Sequence, residues 1–184
     1  MDPASGTEWL DLHIASQRQL FNSMDPAPFR DRDLDPEVSL YIREWAEELS
    51  LTAPLGIRVT LTDEPATPAD ETALRDALHD NFARSAAEHR RNLRKLFRDG
   101  RISLVIGIGF LAIAILIAEA VASRMSDGPY AKLVQESVVI GGWVALWQPI
   151  NIFLYDWWPI RRLIKLYDRL AVAAVELTAV GGAA

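Results

Sequence analysis

The apolar run from Ile102 to Ala122, ISLVIGIGFLAIAILIAEAVA, constrains this chain more than any other feature. It contains a single charged residue, Glu119, in 21 residues. A helix that rises about 1.5 Å per residue needs about 20 such residues to cross the hydrocarbon of a bilayer. Buried helices of soluble proteins are rarely apolar on every face over that length. The run therefore predicts a transmembrane helix over 102–122.

A second run, SVVIGGWVALWQPINIFLY, covers 137–155 and is more polar. Gln148, Pro149 and Asn151 interrupt it, but most of its other residues are apolar. The segment 123–136 that joins the two runs is short and contains the turn signal Asp-Gly-Pro. Two spans with a short connection predict an antiparallel transmembrane hairpin, with 123–136 as its extracytoplasmic loop.

The distribution of charge predicts the orientation of this hairpin. Residues 1–80 hold 17 acidic and 6 basic side chains, residues 81–101 hold 2 and 7, and residues 102–184 hold 6 of each. The connecting loop contains only two of the basic residues, Arg124 and Lys132. Because cytoplasmic flanks carry the excess of lysine and arginine, we predict a multi-pass protein of the cell inner membrane with both termini in the cytoplasm. No basic segment followed by an apolar core begins the chain, so no cleavable signal peptide is predicted.

Residues 1–66 predict a small cytoplasmic α/β head. Trp9–Ile14 and Leu55–Thr62 alternate between apolar and polar residues, which is typical of strands. Asp35 followed by Pro36 marks the start of a helix between them. A βαβ unit of this size gives a thin core. We therefore expect neighbouring copies to complete the head, which predicts a homo-oligomer.

Two further helices are predicted outside the hairpin. Residues 67–101 form a long, basic, amphipathic helix that begins at Thr67-Pro68. Its apolar seam consists of Leu74, Leu78, Phe82, Ala86, His89, Leu93 and Leu96. Residues 156–184 form a cytoplasmic juxtamembrane helix and tail, in which Asp156 caps an amphipathic helix that extends to Thr178. The predicted class is an α+β membrane protein: head, long basic helix, two-helix hairpin and C-terminal amphipathic helix.

Basic and aromatic residues flank the inner ends of both spans. Contact with anionic lipid headgroups is predicted for Arg90, Arg91, Arg94, Lys95, Arg98, Arg101, Arg161, Arg162 and Lys165. Each basic residue near such a surface contributes about 1 kcal/mol. Tyr155, Trp157 and Trp158 follow the second span, where aromatic residues anchor a helix at the interface. The basic segment lacks the interleaved aromatics of a nucleic-acid platform, so no nucleic-acid partner is predicted.

Polar residues within the spans are the candidates for function. Gly141, Ala145, Gln148 and Asn151 share a face of the second span. Small and amide residues on one face predict helix–helix packing, and the alternative is a polar pore lining. Glu119, with Glu136 near the same level, either pairs with a nearby cation or forms a ring of carboxylates in an oligomer.

The sequence offers no pattern for catalysis or metal binding. It contains no cysteine, and His13, His79 and His89 have no ligand spacing. The acidic run DRDLDPE resembles a calcium loop, but Pro36 and Ile42 occupy the places that need glycine and glutamate. We therefore predict no metal, no cofactor and no enzymatic activity.

Two segments carry a resemblance to known families. LFNSMDPAPFRDRDLD (20–35) and GGWVALWQPINIFLYDWWPIRR (141–162) resemble an uncharacterised family of bacterial two-span membrane proteins. This resemblance implies a bacterial setting and a two-span topology. The plan of the chain is also similar in outline to that of the mitochondrial calcium uniporter. The segment Trp147-Gln148-Pro149 lacks both acids of the uniporter filter, so the resemblance does not imply calcium selectivity.

Together these patterns predict a homo-oligomeric inner-membrane protein. Its hairpin anchors a cytoplasmic interaction or scaffold module, which binds a protein partner or serves as an accessory subunit of a larger membrane complex. The alternative is an ion or small-solute channel built from the hairpin.

Overall fold

The computed structural model describes residues 6–22, 33–49, 53–124 and 129–180. The chain divides into two compact units, which we call the head (Met1–His89 with Arg162–Ala184) and the hairpin unit (Arg90–Arg161). Most of the first resemblance motif, including Asp31 of the acidic run, lies outside the described residues. The Asp-Gly pair of the predicted turn in the loop, at 127–128, also lies outside them.

The head contains a three-stranded parallel sheet in the order β1-β2-β3. The strands are β1 (Glu8–Ile14), β2 (Leu55–Leu61) and β3 (Ala174–Ala179). Alternate residues of each strand point into the core, and Ile57 stands between Leu10 and Val175 on that face. Both strands that the sequence predicted are therefore confirmed, and the sheet has one strand more.

The helix predicted between the two strands is α1 (Pro36–Glu48). The carboxylate of Asp35 accepts a hydrogen bond from the backbone N–H of Glu37 at 2.8 Å, so Asp35 is the N-cap. Pro36 occupies the first turn, where its missing N–H costs nothing. Ile42 and Ala46 are fully buried in the head core, which confirms the βαβ unit.

Helix α2 (Pro68–Arg124) is 57 residues long. Its start agrees with the sequence prediction, because Thr67 Oγ1 accepts from the backbone N–H of Asp70 at 3.2 Å and donates to its carboxylate at 2.6 Å. The first part of the predicted seam is buried in the head core: Leu74, Leu78, Phe82 and Ala86. The helix then continues without interruption through the basic segment and the first apolar run.

The second half of the hairpin unit differs from the sequence prediction. Helix α3 (Pro129–Asn151) passes through a π-helical turn (Ile152–Asp156) directly into α4 (Trp157–Leu170). The prediction that Asp156 caps a new helix is therefore wrong. Because Pro149 lacks an N–H, the helix is already disturbed one turn earlier, and the wider turn absorbs the irregularity without ending the helix.

The end of the chain also differs from the sequence prediction. The amphipathic helix was expected to extend to Thr178, but α4 ends at Leu170 and residues 174–179 form β3. Val175 and Leu177 are buried in the head core, so tertiary pairing with β2 determines this segment. The expectation of a two-stranded head is therefore wrong, and one reason for expecting a neighbouring copy to complete the sheet is removed.

The order of the elements makes the hairpin an insertion in the head. Strands β2 and β3 are adjacent and parallel, and both apolar runs lie between them in sequence. Two helices, Pro68–Ala120 and Glu136–Leu170, are long and apolar enough to cross a membrane. Only 17% of the most apolar window of each is buried, whereas the core helix of a soluble protein is mostly buried.

Candidate functional site

One face of the head sheet lies opposite the core and is uncovered by the described residues. Its side chains form three rows across the strands: Trp9, Gly56 and Ala174; Asp11, Arg58 and Glu176; His13, Thr60 and Thr178. Asp11, His13, Ala174 and Thr178 are exposed. We call this surface the open sheet face. It is mainly polar, whereas the opposite face of the same strands is apolar.

The middle row is a ladder of charges centred on Arg58. Its Nε donates to Glu176 at 2.9 Å, and its Nη1 donates to Asp11 at 3.2 Å. The hydrogen bond to Glu176 raises the pKa of Arg58 and the attraction of both carboxylates adds to it, while partial desolvation opposes it. One guanidinium therefore connects both outer strands across β2, and the row carries a net charge of about −1.

Trp9 occupies a fixed position beside this ladder. The guanidinium carbon of Arg58 lies 4.8 Å from the centroid of the Trp9 ring, which is cation–π geometry. The ring lies on Gly56, where a Cβ atom would come within 2.5 Å of Trp9 Cε3. Only glycine allows this approach. The sequence indicates Trp9 only as the start of a strand, and its position over Gly56 follows from the pairing of β1 with β2.

A cavity of about 560 Å³ lies at the carboxyl ends of β2 and β3. Ligands of open α/β sheets bind at this edge. The cavity wall includes Thr62, Asp63, Glu64 and Thr178. Glu64 accepts a hydrogen bond from the backbone N–H of Gln17 at 3.2 Å, so it holds the adjoining loop. The described lining residues supply acidic and hydroxyl groups and no basic group, which disfavours phosphate ligands.

Glycines bring the two helices of the hairpin unit together. A Cβ at Gly100 would come within 2.8 Å of Ile152 Cγ2, and one at Gly142 within 2.2 Å of Leu111 Cδ1. The rings of Phe97 and Phe153 stack with centroids 6.1 Å apart. Close backbone approach at small residues is the usual packing of membrane helices.

Pro149 faces this contact and changes the backbone beside it. It is fully buried, and its missing N–H leaves the carbonyl of Ala145 without its helical donor. A Cβ at Gly107 would stand 3.2 Å from this carbonyl oxygen and 2.9 Å from Leu146 Cδ2. The freed carbonyl is thus covered by the glycine of the other helix.

The residues predicted to share a packing face divide into two groups. Ala145 and Asn151 are half-buried, whereas Gly141 and Gln148 are exposed. Among the described residues, no atom beyond the adjoining backbone of α3 lies within 4 Å of a Cβ built at Gly141, although its neighbour Gly142 contacts Leu111. Helix α3 therefore contacts α2 through Gly142, Ala145 and Leu146 and leaves Gly141 and Gln148 on its outer surface.

Two carboxylates lie at one level of the hairpin unit. Leu111 contacts Gly142. Glu119 is eight residues beyond Leu111 and Glu136 is six residues before Gly142, so the two differ in height by about 3 Å in an antiparallel pair. Both are exposed, and neither forms an ion pair with a described side chain. Lys132 is also exposed, and the side chain of Arg124 lies outside the described part of the chain.

The basic residues predicted to contact lipid are all exposed. In the hairpin unit these are Arg90, Arg91, Arg94, Lys95, Arg98, Arg101 and Arg161, and in the head they are Arg162 and Lys165. Arg98 Nε lies 3.5 Å from the carboxylate of the adjacent Asp99. Arg101 Nε donates to the carbonyl of Phe97 at 3.2 Å. Exposure of these groups is compatible with contact to phosphate.

The aromatic residues after the second span have different surroundings. Trp157 is half-buried, and its Nε1 donates to the carbonyl of Phe153 at 2.9 Å. The guanidinium carbon of Arg161 lies 5.6 Å from the centroid of the Trp157 ring. Tyr155 and Trp158 are 67% and 64% exposed. Trp157 is therefore held by the protein, while the other two predicted anchors point outward.

Two of the three histidines contact the C-terminal part of the head. His79 Nε2 is 2.9 Å from the carbonyl of Ala173, and the ring of His89 lies 5.1 Å from that of Tyr167. His13 is on the open sheet face. Among the described residues, no group of three or more histidines and carboxylates is close enough to hold a metal ion.

Comparison with known proteins returns no match: no family model, no curated protein and no solved structure aligns with this chain. The two resemblances stated above rest on the sequence motifs alone and stay predictions.

Proposed function

We propose that the chain is a homo-oligomeric protein of the cell inner membrane whose hairpin anchors the head at the cytoplasmic face, where the head acts as an interaction module. The open sheet face supports this proposal. Parallel sheets occur almost only with both faces covered, and the core residues of the head lie on one face alone. A protein partner that docks on the open sheet face would cover the other.

The chemistry of the open sheet face fits a protein partner. Tryptophan and arginine are enriched where protein interfaces gain most of their energy, and Trp9 and Arg58 are fixed side by side. The N-terminal 80 residues hold 17 acidic side chains against 6 basic ones, which repels nucleic acid. Asp11 and Glu176 at the outer strands would instead attract basic groups at the rim of a partner.

The position of the hairpin supports an anchoring role. Both spans lie in the connection between β2 and β3, so the sheet is complete only after the chain has passed through the whole hairpin. The head is then attached through two chain segments, α2 and α4. Exposed basic residues such as Arg94 and Arg161 would hold the anchor at anionic headgroups.

Photocrosslinking in intact cells tests the role of the head. A photoreactive amino acid replaces His13 or Thr178 on the open sheet face, and a control replaces Glu44, whose side chain is 61% exposed on α1. We expect a discrete adduct from both sheet positions and none from the control. An adduct of twice the chain mass identifies a second copy, and another mass identifies a partner protein. Absence of any adduct at both sheet positions would overturn the proposal.

A channel is the second candidate, and the two exposed carboxylates favour it. In an oligomer, Glu119 and Glu136 at one level would form a ring that attracts cations, and Gln148 would lie further along the path. Conductance of the purified protein in planar bilayers tests this candidate. A current that falls on Glu119→Gln and on Gln148→Leu would establish the channel. A silent bilayer with correctly inserted protein would exclude it.

A further inference from the structure

The outer surface of α3 carries exposed polar side chains. Gln148 is exposed, and no side-chain hydrogen bond of Gln148 occurs within the described residues. The contact between Gly107 and Ala145 places Gln148, three residues further on, level with residue 104 of α2, about 5 Å beyond Arg101 toward the bilayer centre. An amide left without a hydrogen bond in an apolar environment costs about 2–7 kcal/mol. A membrane setting therefore demands a partner for this side chain.

Gln148 belongs to a regular seam on this surface. The seam consists of Ser137, Gly141, Val144, Gln148 and Asn151. Their spacings of four, three, four and three residues are those of a helix that packs along a left-handed coiled coil. Four of the five are exposed and Asn151 is half-buried. Contact with α2 occurs elsewhere on α3, through Gly142, Ala145 and Leu146.

The residue types of the seam identify what covers it. Ser137 and Gly141 are four residues apart, and small residues in this spacing allow two membrane helices to approach closely. An amide has both a donor and an acceptor, so Gln148 of one copy can satisfy Gln148 of another. A single buried amide at a seam position also fixes register and subunit number.

We infer that this seam is the contact between copies of the chain within the bilayer, with Gln148 hydrogen-bonded between copies. The inference rests on the homo-oligomer of the proposed function and names the surface that forms it. Val144 lies at the centre of the contact, and Trp143, one residue away, lies about 100° around the helix. The two are similarly exposed in the single chain, at 68% and 62%.

Cysteine crosslinking of the full chain in lipid vesicles tests the seam, because the natural sequence contains no cysteine. Val144→Cys should form a disulfide dimer at least tenfold faster than Trp143→Cys. Adding Gln148→Leu to the first variant should weaken association about threefold to tenfold, and Gln148→Asn should restore part of it. Labelling of Gln148→Cys by a membrane-impermeant maleimide should be slow, since the seam excludes water.

The outcomes separate this inference from the proposed function. If the vesicle protein is monomeric at every protein-to-lipid ratio, both the homo-oligomer and the seam are wrong. If it is oligomeric but both cysteines crosslink equally, or Gln148→Leu has no effect, only the seam is wrong. Rapid labelling of Gln148→Cys by the impermeant reagent would also overturn the seam, because it would place Gln148 against water.

Discussion

The two units use one helix, α2, in opposite ways. Near its start the apolar residues Leu78 and Phe82 are 1% and 0% exposed, whereas Val105 and Ile106 further along are 70% and 66% exposed. In the head, other protein elements remove apolar side chains from water, so burial is the source of stability. In the hairpin unit the apolar side chains stay exposed on the surface of the protein. Such a surface is stable only when lipid or another protein covers it.

Polar side chains show the same contrast. In the head, exposed polar groups such as Arg58 bind neighbours across the sheet. In the hairpin unit, Gln148 and Glu119 have no hydrogen-bond or ion-pair partner among the described residues and lie on the outer surface. In the head, water can hydrogen-bond an exposed polar side chain, so its exposure costs little free energy. In hydrocarbon no water is present to form this hydrogen bond. The polar side chains of the hairpin unit therefore indicate where further protein contacts form.

Ending the chain at Ala173 should have the largest effect, because it removes β3. The buried side chains Val175 and Leu177 contribute about 1.5–3 kcal/mol each, and β2 loses its second hydrogen-bonded neighbour. We expect loss of the folded head with the hairpin still inserted. Amide exchange of β2 would then be fast, while a chain that ends at Val180 keeps its protection. Protection of β2 in the shorter chain would contradict the sheet described above.

The sequence predicted the elements whose signals are local and missed those decided by tertiary contacts. Asp35 and Thr67 mark helix starts within a few residues of chain, so the starts of α1 and α2 were predicted correctly. The segment AVELTA alternates between apolar and polar residues over only Val175–Thr178 and follows an amphipathic helix closely, so this local signal is too short to separate a strand from the end of the helix. This segment forms a strand because it pairs with β2, which is distant in sequence. The hydrogen-bonded residues Arg58 and Glu176, for example, are 118 residues apart.

The next effect is the loss of a core side chain in the head. Phe82→Ala should lower the free energy of unfolding of the head by about 3–5 kcal/mol, because the ring is fully buried. Phe110→Ala on the same helix is the matched control, since Phe110 is 52% exposed. We expect the control to leave head stability unchanged in thermal unfolding followed by amide exchange of β2. Equal losses of head stability in Phe82→Ala and Phe110→Ala would contradict the difference in burial between the head and the hairpin unit.

The hairpin unit should respond instead to added volume at its glycines. Gly107→Ala places a methyl group 3.2 Å from the backbone oxygen of Ala145, and crowding of this kind costs about 1–3 kcal/mol. Gly109→Ala is the control, because no other atom lies within 4 Å of a Cβ there. Gly107→Ala should lower the concentration of denaturing detergent at which the hairpin unit unfolds, and Gly109→Ala should not. The opposite order would mean that α2 and α3 meet through other residues.

The sequence does not decide which face of α3 contacts α2. Gly141 and Gly142 are adjacent and chemically identical, yet only Gly142 meets α2. Of the small and amide residues grouped on one face of α3, Gly141 and Gln148 are exposed, whereas Ala145 and Asn151 are half-buried. Helical periodicity defines faces, but the direction in which each face points depends on the second helix, through contacts such as that of Gly142 with Leu111.

The smallest effect should come from the charge ladder on the open sheet face. Arg58→Gln removes two ion pairs from a side chain that is 38% exposed, and solvent-screened pairs are worth about 0.2–1 kcal/mol each.

Because the folded state raises the pKa of Arg58, its contribution is complete below the unfolded pKa and is lost only as pH rises through the folded one, at strongly alkaline pH. The contribution of Arg58 is therefore the same at about pH 6 and about pH 9, so Arg58→Gln should lower the free energy of unfolding equally at both. This deficit should shrink when salt is raised from about 0.05 to about 0.5 M. A deficit above about 2 kcal/mol that persists in high salt would show that the ladder is as shielded from solvent as the core on the other face of the sheet.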